Sequence, residues 1–460
     1  MKSTAWRVTT VLLLSLFMGH ATARADSAAD TETSPPFEAD AFEWAYGMVI
    51  DSIAVSGNVK TTSVAILREM ESRVGTRLER TKLARDHRYI TDLSSVATVG
   101  VEVYPIREGH CGINLAVKER PVVFLKLVYP VVEYNFNNER FRYGLRVNDR
   151  NFRSRLESFS LAYTRNSVGD DNAGIGWSTD WIGWRHIGLG AWMSYFHRGT
   201  VGNRLSIVEQ SRISTAVSLP LTDSRIAFAR LIGGLSLANN RLAASDTVNV
   251  DERLVSPSLG FALDTRDSPL RPTSGGLFFI DMQANRVVNG SGSTYYLLRN
   301  DIRLFGQILP STVLAANSSL AYQYGKFPEY IRFGLGGAGT LRGYDDGSFE
   351  GNHRWTQSLE LRITPFPTWV FSVPYAKIVD VTVSGVLFVD GGITWDNESE
   401  FDRDRWYAGY GFGLWVYSPF QDVVRIDVGF NQHDVADPLT GVTIREAHSA
   451  VFYFSTGTRF

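Results

Sequence analysis

Over most of the chain, apolar and polar positions alternate with a period of two, and the only helical pattern lies in the first quarter. The segment Val49-Asp51-Ile53-Val55 reads as a strand that closes on Gly57-Asn58. Thr62 then caps a helix predicted to run to about Ser72, and Gly75 breaks it. A second helix is predicted over Thr81 to Leu93. Gly100 to Val117 reads as a hairpin, Val101-Val103-Tyr104 and Ile113-Leu115-Val117, around a turn at Glu108-Gly109. The order β-α-α-β-β within Met48 to Glu119 describes one small α+β domain, bounded at residues 48–120.

From Arg120 the helical period is lost. Short alternating segments follow, among them Arg142 to Asn148, Phe159 to Thr164, Leu189 to Phe196, Arg225 to Leu231, Leu277 to Gln283, Leu297 to Leu304, Val386 to Asp390 and Val451 to Phe460. Gly, Asn, Asp, Pro and Ser separate them, as an all-β chain requires. A large soluble sandwich would give the same alternation. Against it, Trp and Tyr recur near segment ends (Trp177, Trp181, Trp184, Trp192, Tyr195, Tyr295, Tyr296, Trp369, Trp406, Tyr407), as in the aromatic girdles of membrane barrels. Dividing residues 121–460 among about sixteen strands gives roughly 21 residues per strand and connection, which suits membrane strands of ~9–11 residues plus loops. The fold class expected is therefore mainly β, a 16-stranded antiparallel transmembrane β-barrel over 121–460 behind the small α+β domain.

Composition narrows the class further. A formal net charge of -2 argues against a nucleic-acid partner, and the single Cys111 excludes a disulfide framework. Residues 1–25 read as an export signal: Lys2 and Arg7, an apolar core from Val11 to Met18, and Ala23-Arg24-Ala25 as cleavage site, with Ala25 and Asp26 flanking the cut. Residues 26–47 carry six carboxylates and Pro35-Pro36, and read as an acidic flexible linker. No later run is long and apolar enough for a membrane-spanning helix, so an exported chain this aromatic is either soluble or a barrel.

Five segments in order resemble the outer-membrane superfamily of barrel assembly factors and two-partner secretion transporters. The small domain, with Gly57-Asn58 and its ending Val117-Lys118-Glu119-Arg120-Pro121, is similar to one polypeptide-transport-associated (POTRA) repeat. Asp264-Thr265-Arg266-Asp267-Ser268-Pro269 and Pro272 to Gly276 resemble the family's central hairpin motif. Gly334 to Tyr344, ending Leu341-Arg342-Gly343-Tyr344, resembles the tip of its inward-folded loop. Phe388-Val389-Asp390-Gly391-Gly392 matches its F-x-D-x-G strand, and Phe460 its terminal aromatic residue. The resemblance implies a bacterial outer-membrane barrel with the POTRA domain in the periplasm. It also implies insertion, assembly or translocation of other polypeptides, without a cofactor. Partners implied are unfolded or secreted client polypeptides and outer-membrane lipid, with periplasmic chaperones or lipoproteins as further candidates. A secretion pore for one dedicated client, and a passive channel, are the alternatives.

The arginine can be argued from chemistry as well. A guanidinium inside a barrel needs acceptors, because leaving it unpaired away from water costs several kcal/mol. Its rigid fork suits carboxylates. By the resemblance, Arg342 meets Asp390 and Glu360, and Gly336, Gly337, Gly339 and Gly343 let the loop pass close to the wall. An exposed Arg in a flexible Gly loop is the competing reading. Asp264, Arg266 and Asp267 are expected to organise a tight turn with a lumen-facing ion pair. Phe452, Phe454 and Phe460 share one parity and are expected to face lipid as a C-terminal strand signal, with Arg459 facing the lumen. Val122 to Tyr129, stopped by Pro130, is the expected first strand and the partner of Val451 to Phe460 at a seam. Enzymatic motifs such as G-x-S-x-G and H-E-x-x-H are absent, and His87, His186, His197 and His353 lie in separate segments, so no catalytic, cofactor-binding or metal-binding residue is assigned.

Overall fold

A computed structural model describes residues 38–91, 93–120, 126–135, 140–199, 206–222, 228–244, 248–268, 271–289, 292–328, 330–373, 376–397, 401, 406–418, 422–436, 443–456 and 459–460. The expected signal, its cleavage site at Ala25 and Asp26, and the residues Val122 and Leu125 of the expected first strand lie outside these.

The N-terminal domain holds β1 (Val49–Ser56), α1 (Ser63–Leu67), α2 (Arg80–Thr91), β2 (Val96–Arg107) and β3 (His110–Glu119). Its sheet order is β1-β3-β2, with β1 parallel and β2 antiparallel to the central β3. Ile50, Ile66, Leu83, Ile90, Ile113 and Leu115 are fully buried between sheet and helices. Thr62 caps α1 as expected, but the helix stops at Leu67 rather than Ser72. Asp86 on α2 explains the early stop, because its carboxylate accepts the amides of Glu71 and Ser72 and so ties that segment to α2 instead of a continuing helix. The expected linker is also shorter. Ala39–Ala45 forms a 3₁₀ helix, and Ala45 with Phe42 and Tyr46 completes the domain core, since apolar surface is available there to bury.

The remaining strands build one antiparallel wall. They are β4 (Lys126–Asn135), β5 (Arg140–Phe152), β6 (Glu157–Asn166), β7 (Asp171–Thr179), β8 (Gly188–His197), β9 (Ser206–Pro220), β10 (Phe228–Ala244) and β11 (Val248–Asp264). Then follow β12 (Gly275–Val287), β13 (Thr294–Leu309) and β14 (Thr312–Gly325). The long loop after β14 carries a small hairpin, β15 (Phe333–Leu335) with β16 (Phe349–Gly351). The wall resumes with β17 (His353–Ile363), β18 (Trp369–Val373), β19 (Ala376–Trp395), β20 (Tyr407–Ser418) and β21 (Asp422–Asn431). A second small hairpin, β22 (Val435–Ala436) with β23 (Thr443–Arg445), precedes the last wall strand β24 (Ala450–Thr456). Strands β17 and β18 occupy one position of the wall, both pairing with the 20-residue β19. Pro365 and Pro367, which lack amide donors, interrupt the ladder between them. The wall thus has sixteen positions, and its order brings β24 next to β4. Among the described residues that junction is the smallest contact between neighbouring wall strands.

Alternation assigns the two faces. Leu161, Ile175, Met193, Ile213 and Leu237 are register mates across β6 to β10, and all are exposed on the outer face. One residue along, Ser160, Gly176, Trp192, Ser214 and Ser236 form the matching inner row. Trp192 therefore belongs to the lumen, where a Cβ on Gly176 would lie 2.6 Å from its ring, and not to an outer girdle. Tyr295 is buried against Leu254 and Val287, and Tyr407 stacks on Phe349 of the inward loop. Of the aromatic residues read as a girdle, Trp184, Trp369, Tyr195 and Tyr296 are exposed, as is the lumen-facing Trp192. Pro130 does not end the first strand either. It pairs opposite Leu145, and β4 runs on to Asn135.

The N-terminal domain meets the wall at the β5–β6 turn. Thr62 donates its amide to the Ser154 carbonyl at 3.0 Å, and Asn151 donates its side-chain amide to Thr61 Oγ1 at 2.9 Å. Arg68 donates to the Arg155 carbonyl. In this turn Arg153, Ser154 and Leu156 all have positive φ, a conformation costly for non-glycine residues and held here by the contacts around Asn151.

Candidate functional site: a carboxylate cage around the inward loop

The chain between β14 and β17 folds into the barrel. Gly336, Gly337 and Gly343 adopt φ of 126°, 85° and 101°, the left-handed region that glycine enters without penalty. Gly339 does not share this role, since a Cβ there would meet open space. The wall contributes glycines of its own: a Cβ on Gly409 would lie 1.9 Å from the Arg342 carbonyl oxygen, and one on Gly429 2.5 Å from the Gly343 nitrogen. Loop and wall thus meet backbone to backbone.

At the tip, Leu341, Arg342 and Tyr344 are fully buried. Arg342 donates from Nε to Asp390 Oδ2 at 2.8 Å and from Nη2 to Asp390 Oδ1 at 3.0 Å. The same Nη2 donates to Glu360 Oε1 at 2.8 Å, and the Arg342 amide donates to Asp390 at 3.1 Å. Its guanidinium carbon lies 3.4 Å from the Phe388 ring centroid, a cation–π contact from the residue two before Asp390 on the same face. The structure thus brings Arg342, Asp390 and Glu360 together, and the exposed-arginine reading does not hold. Tyr344 donates to the Ala408 carbonyl and packs against Phe349 and Tyr407.

Further members were not assigned from sequence. Arg362 forks onto Glu360 Oε2 at 3.0 and 2.8 Å. Asp427 lies 3.7 Å from Arg342 Nη1 and 4.0 Å from Arg425 Nη1. Ser358 donates to Asp390 at 2.6 Å. Each sits on the inward parity of a wall strand, a signal the alternation carried but which is shared with many uninvolved residues. Arg342, Arg362, Arg425 and Arg459 face Glu360, Asp390 and Asp427, so the cage holds one more cation than anion.

The chain end departs most from expectation. β24 stops at Thr456. Phe452 and Phe454 are exposed on the outer face, but Phe460 is buried inside against Phe305 and Ala315, with the Arg362 guanidinium 4.9 Å from its ring. Parity extrapolated along a straight strand fails because the last residues leave the wall. Arg459 donates from Nη1 to both Asp390 oxygens at 2.8 Å.

The hairpin motif lies elsewhere, at the β11–β12 turn. Arg266 forks onto Asp264 at 2.9 and 2.8 Å. Asp267 accepts from the amides of Ser268, Thr273 and Ser274 and from the Thr273 hydroxyl, which organises the turn. Of the histidines, His353 is buried and accepts from the Gln323 amide at 3.1 Å, and His87 bonds the Val99 carbonyl. Among the described residues no cluster of His, Cys, Asp and Glu could hold a metal, and no helix is long and apolar enough to cross a membrane.

Comparison with known proteins agrees with this geometry. The chain is similar to the outer membrane protein assembly factor BamA of Nitratidesulfovibrio vulgaris, 23% identical over 438 residues, covering 89% of this chain and 51% of that protein. The chain therefore spans about half the length of that relative. Among solved structures it resembles BamA from Haemophilus ducreyi lacking POTRA domains 1-3 (TM-score 0.55, 18% identity, 89% of this chain and 85% of that one). It also resembles CdiB from Acinetobacter baumannii (TM-score 0.60, 14% identity, 90% and 74%). The family model for the Omp85 superfamily domain matches residues 132–460, most of the chain, and the protein is an outer-membrane β-barrel protein belonging to the Omp85 superfamily.

Proposed function

We propose that the protein acts on polypeptide clients at the outer membrane, assisting their insertion and assembly or their translocation. The observation that carries this reading is the seam. β4 and β24 make the smallest neighbouring contact of the wall among the described residues, and a lightly paired edge offers N–H and C=O groups that an incoming strand can satisfy. The N-terminal domain, read as a periplasmic POTRA domain, has a second such edge. β2 lies at the margin of its sheet with Tyr104 and Ile106 exposed, and can hold an extended client or dock a periplasmic chaperone or lipoprotein. Similarity to an assembly factor supports insertion.

A second reading, a secretion pore for a dedicated client, is favoured by the inner row across β6 to β10, in which Ser160, Gly176, Ser214 and Ser236 are small and Trp192 is the one bulky member. Liposomes containing the full chain separate the readings when ion conductance and the folding rate of an added reporter barrel are measured together. An insertase accelerates reporter folding severalfold. Conductance without acceleration would overturn insertion and leave a pore or passive channel.

A further inference from the structure

The last strand is attached to the inward loop at two places, and neither attachment belongs to the wall ladder. On the lumen face of β24, the Tyr453 hydroxyl accepts from the Gly343 amide at 2.8 Å and donates to the Tyr344 carbonyl at 2.7 Å, filling both of its hydrogen-bonding capacities on the loop tip. Beyond the end of β24, Arg459 engages Asp390 with Nη1 and the Thr340 carbonyl with Nη2 at 2.8 Å. Phe460 lies against Phe305 on β13 and Ala315 on β14, several wall positions away from β24. The Arg459 side chain and Phe460 are both buried. On its two flanks β24 has an antiparallel ladder with β21 on one side and the small β4 junction on the other.

From this arrangement we propose that Tyr453, Arg459 and Phe460 form a latch through which the seam strand and the inward loop are held, and released, together. Asp390 is the shared element, because it accepts from Arg342 of the loop and from Arg459 of the chain end. Arg459 also holds the loop directly through the Thr340 carbonyl, and Tyr453 holds it through Gly343 and Tyr344, so parting the chain end from the loop leaves polar groups of both without partners in a buried site. Opening the seam at β24 therefore draws on the loop anchor, and freeing the loop loosens β24. The latch belongs to the chain itself, and it holds or fails whether the client is inserted, secreted or absent.

Coupling of this kind is reciprocal, which supplies the test. Full-length protein in micelles, with no client, is followed by hydrogen exchange of peptides covering 332–346 and 450–456 and by trypsin cleavage at the Arg342–Gly343 bond. Arg459→Ala and Tyr453→Phe are expected to speed loop exchange and cleavage about tenfold, while peptides of β7 and β8 stay unchanged. Arg342→Lys, altered on the loop side only, is expected to speed exchange in 450–456 by a similar factor. If Arg459→Ala does not reach the folded form, Tyr453→Phe, which keeps its ring, is read in the same assays. Loop release with unaltered β24 exchange, or β24 loosening with an unaltered loop, would falsify the latch, as would no change in either.

Discussion

Arg342 is held by charge and by close backbone packing, and these two supports fail differently. Arg342→Ala leaves Asp390 and Glu360 facing one another inside the barrel with only Arg362 and Arg459 to compensate, and removal of one partner of a buried ion pair costs about 3–5 kcal/mol. Thermal unfolding, followed as loss of the compact electrophoretic form, is expected several degrees below wild type. A wild-type transition would show that the cage contributes nothing to barrel stability. The backbone contact gives a matched pair of substitutions. Gly409→Ala puts a methyl 1.9 Å from the Arg342 carbonyl and should cost about 1–3 kcal/mol, whereas Gly385→Ala on the neighbouring strand meets nothing within 4 Å and should be nearly neutral. Equal effects at the two sites would mean that the loop yields freely to the wall.

At the scale of elements, what was legible in the sequence followed from local rules. The α+β order, the N-cap at Thr62 and the wall strands answer to capping and to period-two alternation, which act within a few residues. What was not legible depended on contacts between distant segments. The early end of α1 is set by Asp86, and the inward turn of Phe460 by a pocket on β13 and β14. Trp192 and Ser160 carried no local sign of which face they would take, since an inner and an outer Trp look alike in one strand. The buried terminus changes what a C-terminal signal means here. Phe460→Ala removes a buried ring and should destabilise the barrel by about 3–5 kcal/mol, while Phe452→Ala, on the exposed face, should cost clearly less. Deleting Phe460 should lower the outer-membrane level in fractionated cells, and an unchanged level would count against a targeting role. In the N-terminal domain, burial pushes the Glu119 carboxyl up, but the amides of Thr61, Lys60 and Val59 outweigh this and hold it below the ordinary range. A lowered carboxylate stabilises the fold above its unfolded value of about 4.3 and loses that contribution as pH falls through the folded value. Exchange protection of residues 59–61 should therefore collapse in acid for wild type, and Glu119→Gln should flatten this dependence.

On the scale of the whole molecule, the loop tip is tied both to β24, through Tyr453, and to the chain end, through Arg459. The N-terminal domain is fastened at the β5–β6 turn, whose strand β5 pairs with β4. On the proposed function, a client strand entering at the seam would compete with a β4–β24 junction that is small among the described residues, and each net hydrogen bond displaced is worth only ~1 kcal/mol. On the proposed route, sideways parting of β24 would also have to break the inner holds made by Tyr453 and Arg459. Locking the seam covalently separates this route from passage through the lumen. Leu125, the position suggested by the sequence, lies outside the described residues, but Val128 on β4 is exposed and can be paired with a cysteine at the facing residue of β24, in a Cys111→Ser background. Client insertion or secretion by the oxidised protein should fall to background and return on reduction. Undiminished activity in the oxidised form would exclude sideways opening and leave passage through the lumen as the route, past an inner row on β6 to β10 in which Trp192 is the one bulky side chain.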